Sequence, residues 1–216
     1  MTPRGVLQEV GRLALPIPLG LAVVACAPSP LPALPQRASA TGVEIRSDAA
    51  GVDWVVQLAG AEGNVVSGEP VRASATTVAR KQAGRPPLEI VAARSDWNLR
   101  ERTAVFDQDV VVTRGDVTLT CTHLDVRYAG TEQIETVVAT GSVRVLRGAR
   151  QATADRAELD GKTGRVTLTG NPRLGEGASE LVGDTITLWL DDERATCEGA
   201  AGGKCRLVVA GTAIGP

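Results

Sequence analysis

Two stretches near the middle of the chain decide its fold: ATGSVRVLRG at residues 139–148 and RAELDGKTGRVTLTGNPRL at residues 156–174. In both, apolar residues alternate with polar ones, as at Val143 and Val145 or at Val166 and Leu168. A period of two is typical of a strand with one buried face. Turn formers such as Asp160-Gly161-Lys162 separate the runs. The stretches predict antiparallel strands joined by short turns.

The same alternation extends in both directions along the chain. Upstream it includes Val112 and then Leu124 with Val126, and downstream it includes Ile186 with Leu188. Glycine-containing turn signals lie between the runs. From about residue 52 onward the period of two is far commoner than the helical period of 3.6. The sequence therefore predicts an all-β domain.

The predicted strands also repeat in pairs. Trp97, Val126, Leu159 and Leu188 occupy equivalent points before a turn, and the phrase GSVRVLRG at 141–148 is echoed by GNPRLGEG at 170–177 and more loosely by DVVVTRG at 109–115. Each unit of two strands and two turns presents an apolar edge that only its neighbours can cover. Stacked units of this kind predict an elongated trough.

Residues 40–92 follow the pattern less clearly. Trp54, Val56 and Leu58 alternate with polar or small neighbours, whereas residues 60–70 and 83–87 are loop-like. We interpret this part as the first strands of one domain that spans residues 40–210. A separate small domain remains the alternative.

Residues 1–26 have the features of a secretory signal peptide. The uncharged run LALPIPLGLAVVA at 13–25 contains two prolines and is shorter than the roughly 20 apolar residues that a membrane span needs. Its end, Val23-Val24-Ala25-Cys26, resembles the lipobox of bacterial lipoproteins. The resemblance implies that Cys26 is lipidated and that the lipid attaches the protein to a membrane. An ordinary signal peptide cut somewhat later is the alternative. Residues 27–39, rich in proline and alanine, predict a stiff tether.

Composition narrows the classes of partner. The formal net charge is −2 and no basic cluster occurs along the chain, which excludes nucleic acid as an expected partner. Aromatic residues make up only 2% of the chain, so valine, leucine, isoleucine and alanine must build the core. Such a core is smooth and aliphatic.

Residues 97–199 resemble the OstA-like domain of the periplasmic lipopolysaccharide-export proteins, the bridge component LptA and its membrane-tethered partner LptC. The two stretches quoted first and LVGDTITLWLDDERATCEG at 181–199 carry this resemblance. Upstream, GVDWVVQLAG at 51–60 and PPLEIVAARSDWNLR at 86–100 are similar to the opening of the LptC branch. The resemblance implies an open antiparallel β-jellyroll, or β-taco, located in the periplasm.

The resemblance also implies a function: the inner face of the bent sheet holds acyl chains of lipopolysaccharide, and further Lpt components dock by pairing of edge strands. It implies no enzymatic activity and no cofactor. The alternation then assigns the groove residues to Val112, Leu124, Val126, Val143, Val145, Leu159, Val166, Leu168, Ile186 and Leu188. The neighbouring positions Arg127, Arg144, Thr167 and Thr187 are expected to face solvent, because a step of one residue reverses the face. The alternative is that the same residues form a closed core that holds no lipid.

Three cysteines and one histidine complete the candidates. If the chain turns back around residues 200–202, Cys197 and Cys205 face each other across a hairpin at a distance that a disulfide can span. Cys121 is then expected to be a buried free thiol. His123 lies in a strand pattern with no second histidine, so a metal-binding or triad role is not expected.

Two other classes of protein remain as alternatives. A structural or adhesive envelope β-solenoid would stack similar strands around a closed core, but would be expected to continue for more repeats. An enzyme on a β-helix scaffold, acting on polysaccharide, would need clustered acids and aromatic platforms, and the chain offers few aromatic residues.

Overall fold

The structure is a computed structural model that describes residues 38–49, 51–63, 69–129, 133–190, 192, 194–199 and 205–209. The chain divides into two compact units, 1–34 and 35–216, and every described residue lies in the second. Within the described ranges, no helix has both the length and the apolar character to cross a membrane. The predicted signal peptide, Cys26 and most of the predicted tether lie outside these ranges.

Every described strand belongs to a single 14-stranded sheet, and all pairings within it are antiparallel. The all-β, open antiparallel fold expected from the sequence is therefore confirmed. The strands are β1 Ala38–Ala49, β2 Val52–Gly63, β3 Val71–Gln82, β4 Arg85–Asn98, β5 Thr103–Arg114, β6 Val117–Ala129, β7 Gln133–Arg147, β8 Arg150–Asp160, β9 Arg165–Thr169, β10 Arg173–Glu176, β11 Ser179–Val182, β12 Thr185–Trp189, β13 Ala195–Glu198 and β14 Arg206–Val208.

Strands β1 to β8 pair in chain order, and most of them are interrupted near their middle. The register shifts between Asp107 and Val110 of β5 and again between Thr140 and Val143 of β7. Residues at these points have positive φ, namely Gln108 and Asp109 in β5 and Gly141 and Ser142 in β7. Such bulges bend a strand sharply. Together they form a line across the sheet, which we call the crease.

Past β8, the crease breaks the chain into separate strands. Gly170 and Asn171, both with positive φ, end β9 and precede β10. One half of β8 pairs with β10 and the other half with β9. The repeated phrases that begin at 109, 141 and 170 in the sequence therefore share a physical cause, because each contains residues of the crease.

The crease divides the sheet into two wings. Wing 1 comprises 38–41, 60–63, 71–74, 94–98, 103–107, 123–129, 133–140, 156–160, β9, β12 and β13. Wing 2 comprises 43–49, 52–58, 76–82, 85–91, 110–114, 117–121, 143–147, 150–154, β10, β11 and β14. Side chains from both wings form one hydrophobic cluster, in which Phe106 and Leu168 of wing 1 join Val110 and Val143 of wing 2. The wings therefore face each other across the core.

The disulfide joins the last strands of the two wings. Cys197 lies on β13, the terminal strand of wing 1, and Cys205 lies next to β14, the terminal strand of wing 2. The hairpin expected between these cysteines is wrong, since β13 pairs with β12 and β14 pairs with β11. A Cβ added to Gly183 would lie 2.3 Å from Cys197 Sγ and 3.1 Å from Cys205 Sγ, so a side chain at this position would overlap the bond.

The first strands belong to the same sheet as the rest. Strand β4 pairs with β5 from Leu88↔Arg114 to Asn98↔Thr103, so the described residues do not form a separate N-terminal domain. Strand β1 begins at Ala38, two residues before the predicted start of the domain at residue 40. The loop expected at 83–87 is shorter, because β4 already begins at Arg85.

Candidate functional site

The inner face of wing 2 carries an unbroken apolar row. Residues paired in register on neighbouring strands share a face of the sheet, and the pairings connect one apolar side chain on each of the eleven strands of wing 2, from β1 to β14. This row, called the long row below, consists of Ile45, Val56, Val78, Ile90, Val112, Leu119, Val145, Ala152, Leu174, Leu181 and Leu207. No charged or polar side chain interrupts it.

A corresponding row lies on the inner face of wing 1. Its members are Val71, Trp97, Ala104, Val126, Val137, Leu159, Val166, Leu188 and Ala195. The residues that recur before turns in the sequence, Trp97, Val126, Leu159 and Leu188, all lie in it. Their equivalence in the repeat is therefore an equivalence of position in the fold.

On strands β6, β7, β9 and β12, burial falls from the crease towards the margins of the wings. Next to the crease, Leu168 and Ile186 are 0% exposed and Leu124 is 1% exposed. One alternation farther out, Val145, Val166 and Leu188 are only half-buried although they pack against the same cluster. On these strands the trough is packed along its crease and more accessible towards its margins.

All the groove residues that the alternation selected lie on the inner face. Those close to the crease are buried in the core: Leu124, Val126, Val143, Leu168 and Ile186. Those nearer the margins are half-buried: Val112, Val145, Leu159, Val166 and Leu188. Their role towards lipid stays a prediction, and the second group is the one that lipid can reach with the smaller rearrangement.

The expected outward positions differ among themselves. Arg127 and Arg144 are exposed, whereas Thr167 and Thr187 are half-buried on strands that have neighbours on both sides. Sequence reasoning also left out much of the long row, including Ile45 and Val78. The signal was present there, since both residues alternate with polar neighbours, but the upstream strands have weaker turn signals.

Both ends of the long row are uncovered. Ile45 on the edge strand β1 is 53% exposed, and Leu207 on the edge strand β14 is 63% exposed. Between them the row is buried or half-buried. Each end is therefore an apolar inner position beyond which no described strand continues the row.

A polar contact stiffens the crease between β3 and β4. The hydroxyl groups of Thr76 and Ser95, on opposite sides of the crease, lie 2.7 Å apart and form a hydrogen bond, and both residues are at most 1% exposed. Trp97 Nε1 donates a second hydrogen bond to Ser95 Oγ at 2.7 Å. Buried hydroxyls need such partners to offset the cost of leaving water.

The two remaining titratable candidates, His123 and Cys121, lie on opposite faces of the sheet. His123 lies on the outer face between Asp107 and Asp125, and its hydrogen bond with Asp107 raises the pKa of the imidazole. Cys121 is buried and free, and its burial raises the pKa of the thiol to about 11. Among the described residues, no group of three or more His, Cys, Asp and Glu side chains is placed to hold a metal ion.

Comparisons with known proteins agree with this geometry. Residues 89–194, about half of the chain, match the model of the family described as LptA/(LptD N-terminal domain) LPS transport protein. The fold is similar to the crystal structure of LptH, the LptA-homologous periplasmic component of the lipopolysaccharide transport device of Pseudomonas aeruginosa, with a TM-score of 0.52 and 17% identity. That match covers 57% of this chain and 95% of LptH. No curated protein sequence matches the chain.

Proposed function

Because residues 89–194 of this chain belong to the family of LptA and the LptD N-terminal domain, we propose that the protein is a periplasmic carrier in lipopolysaccharide transport. The single observation that carries the proposal is the continuous apolar row on the inner face of each wing, with burial that decreases from the crease towards the margin on β6, β7, β9 and β12. Acyl chains would lie between the margins of the wings, against the half-buried members of the rows.

The energetics of an aliphatic groove fit a carrier. Each acyl CH₂ group that leaves water contributes about 0.8 kcal/mol, so a few chains bind firmly without any shaped polar pocket. The two wings cover each other near the crease, where Leu168 and Ile186 are fully buried. Lipid would therefore enter at the margin and not at the crease, and loading would require the margins to separate.

Docking to other Lpt components would extend the trough. An edge strand offers unpaired backbone groups to another chain, and in this protein the edges are β1 on one side and β13 with β14 on the other. The exposed ends of the long row, Ile45 and Leu207, lie on these edges. A docked strand would cover them and continue the apolar face into the next protein.

Membrane attachment through Cys26 is a separate part of the proposal, because Cys26 lies outside the described residues. Growth with a labelled fatty acid should label the wild-type protein and leave Cys26→Ser unlabelled. Equal label in both proteins would remove the lipid anchor and leave the carrier function intact.

Crosslinking in living cells tests the carrier function directly. A photo-activated residue at Val145 or Leu188, both half-buried at the margin, should capture lipopolysaccharide. The same residue at Arg144 or Arg127, exposed on the outer face one step away in sequence, should not. Val145 and Arg144 form a matched pair on one strand. Capture at neither inner site would reject the carrier function and favour a structural envelope protein with a closed core.

A matched pair of substitutions on β14 tests docking. Leu207→Asp places a carboxylate at the uncovered end of the long row, whereas Val208→Asp places it on the opposite face of the same strand. Both residues are exposed, so the monomer should stay folded. We expect Leu207→Asp to weaken association with its partner in a pull-down from cell envelopes at least tenfold more than Val208→Asp does, since burying an unpaired charge is costly. Equal weakening would place docking on another surface.

A further inference from the structure

The margin of wing 2 carries a second row, one inward position farther from the crease than the long row. It begins at Trp54, which packs against the hydrophobic cluster and therefore faces inward. The register then connects Trp54, Arg80, Leu88, Arg114, Val117, Arg147, Arg150 and Glu176. Because paired residues share a face, four arginines line the inner rim of this wing. We call them the arginine row: Arg80, Arg114, Arg147 and Arg150.

The spacing of the arginine row follows from the strands that carry it. Arg80, Arg114 and Arg147 lie on β3, β5 and β7, and Arg150 on β8. Neighbouring strands are about 4.8 Å apart, so the first three arginines recur every ~10 Å along the groove. Arg114 and Arg147 are each the last strand residue before a glycine-containing turn, which explains why Arg-Gly recurs in the repeated phrases of the sequence.

Two arginines of the row form exposed ion pairs with carboxylates. Arg147 Nε lies 3.2 Å from Asp116 Oδ2, and Arg150 Nε lies 2.9 Å from Glu176 Oε2. The side chains of both pairs are 39–69% exposed, and exposed ion pairs contribute little. The guanidinium of Arg80 lies 5.5 Å from the ring centre of Trp54. Arg147 and Arg150 thus meet carboxylates in exposed ion pairs, and Arg114 forms no ion pair within the described part of the chain, so the rim offers guanidinium groups to an anion.

Deeper in the groove the lining is apolar on both sides. The row of wing 1 that corresponds to the long row, from Val71 to Ala195, contains no charged residue. Acyl chains between the wings would therefore contact apolar rows, with the arginine row beyond them at the rim of wing 2. Guanidinium groups form paired hydrogen bonds with phosphate more strongly than with neutral headgroups.

We propose that the arginine row is a headgroup site, which binds the phosphate groups of an acylated lipid while its chains lie against the long row. The inference rests on the proposed carrier function and adds to it the chemistry that selects the lipid. The rim of wing 2 would distinguish phosphorylated from unphosphorylated lipid, whereas the apolar rows would bind the acyl chains of both.

Binding of two forms of one lipid tests this proposal. The full chain is titrated with fluorescent lipopolysaccharide and with the same lipopolysaccharide after enzymatic removal of its phosphates. The double variant R114Q/R147Q should bind the phosphorylated form roughly tenfold more weakly than wild type, as expected for the loss of charge-assisted hydrogen bonds. It should bind the dephosphorylated form as wild type does. R114K/R147K should recover most of the affinity, because it restores the charge.

The matched control is R127Q/R144Q, which removes the same charge from exposed positions on the outer face. It should bind both lipids like wild type. Free inorganic phosphate at millimolar concentration should not displace the lipid, since it lacks chains; displacement would indicate a simple anion site and overturn the headgroup assignment. Equal affinity of wild type and R114Q/R147Q for the phosphorylated form would also overturn it, while the carrier function stood. Failure of wild type to bind either form would reject the carrier function itself.

Discussion

The two edges of the sheet connect the two wings in different ways. At the N-terminal edge, β1 runs unbroken from Ala38 to Ala49 across the crease, with Gly42 at positive φ where the strand bends. At the C-terminal edge, the wings end in separate short strands, β13 and β14, and the disulfide between Cys197 and Cys205 connects them. The comparison indicates that backbone continuity holds the wings together along most of the crease, and that a covalent crosslink replaces it where the chain leaves the crease.

Removal of the disulfide should change the stability of the C-terminal edge more than any other substitution proposed below. In C197S/C205S the crosslink that closes a segment with a sequence separation of 8 is lost, which costs about 2–3 kcal/mol of unfolding free energy in the loop-entropy account. Denaturant unfolding of the wild type with and without reductant measures the change.

Hydrogen exchange then locates the change. Amides of β13 and β14 should lose protection in C197S/C205S, whereas those of β1 should keep theirs, because the N-terminal edge relies on continuous backbone. An equal loss of protection at both edges would contradict the contrast between them. Cys121→Ser is a control for removal of a thiol, since Cys121 is not in the disulfide.

Alanine substitutions at two glycines of the crease compare the N-terminal and C-terminal parts of the sheet at single residues. Gly42 and Gly170 both have positive φ, at 62° and 73°. A Cβ at Gly42 would meet nothing within 4 Å, whereas one at Gly170 would lie 2.6 Å from Asp155 Cβ. Gly42→Ala should therefore cost only the backbone term, about 1 kcal/mol. Gly170→Ala should cost roughly 1–3 kcal/mol more because of the overlap. Thermal unfolding of the two variants decides the order, and equal costs would show that Asp155 moves away freely.

The smallest effect is expected at His123, beside the crease in the middle of the sheet. Its pKa is raised, first by the hydrogen bond with Asp107, so the folded state favours the protonated imidazole. The stabilisation is complete below the unfolded pKa of about 6.5, and it is lost as pH rises through the higher folded pKa. His123→Gln should thus lower unfolding free energy at about pH 5 and much less at about pH 9, by less than ~1 kcal/mol because the pair is partly exposed. A deficit that grows with pH would reverse this sign and refute the assignment.

Alternation of apolar and polar residues predicts which side chains of each strand point inward. It predicts this for Val145 and Leu188, because the face on which a side chain lies depends only on its position along the strand. In the structure their partners in register lie on the inner face too. The same counting could not rank them by burial. Leu168 is fully buried and Leu188 is not, and this difference depends on distance from the crease, which no local pattern encodes.

The disulfide is a second case in which the sequence pattern did not predict the three-dimensional arrangement. The short separation of Cys197 and Cys205 in sequence was enough to suggest the bond, but the hairpin inferred from it was wrong. The two cysteines approach each other because the crease separates β9 from β10, and the strands that follow then pair in different wings. Proximity therefore arises from the topology of the sheet and not from a local turn.

The sequence by itself determined the all-β class, the turns and the inward side of each strand, since alternation and turn chemistry act over a few residues. Only the tertiary structure decided that alternate strands bend at one line, that the apolar rows run unbroken across the sheet, and that four arginines distant in sequence share one rim. These features depend on register between strands. Register is set jointly by the bulges and by the burial of two facing wings, and neither can be read from one strand alone.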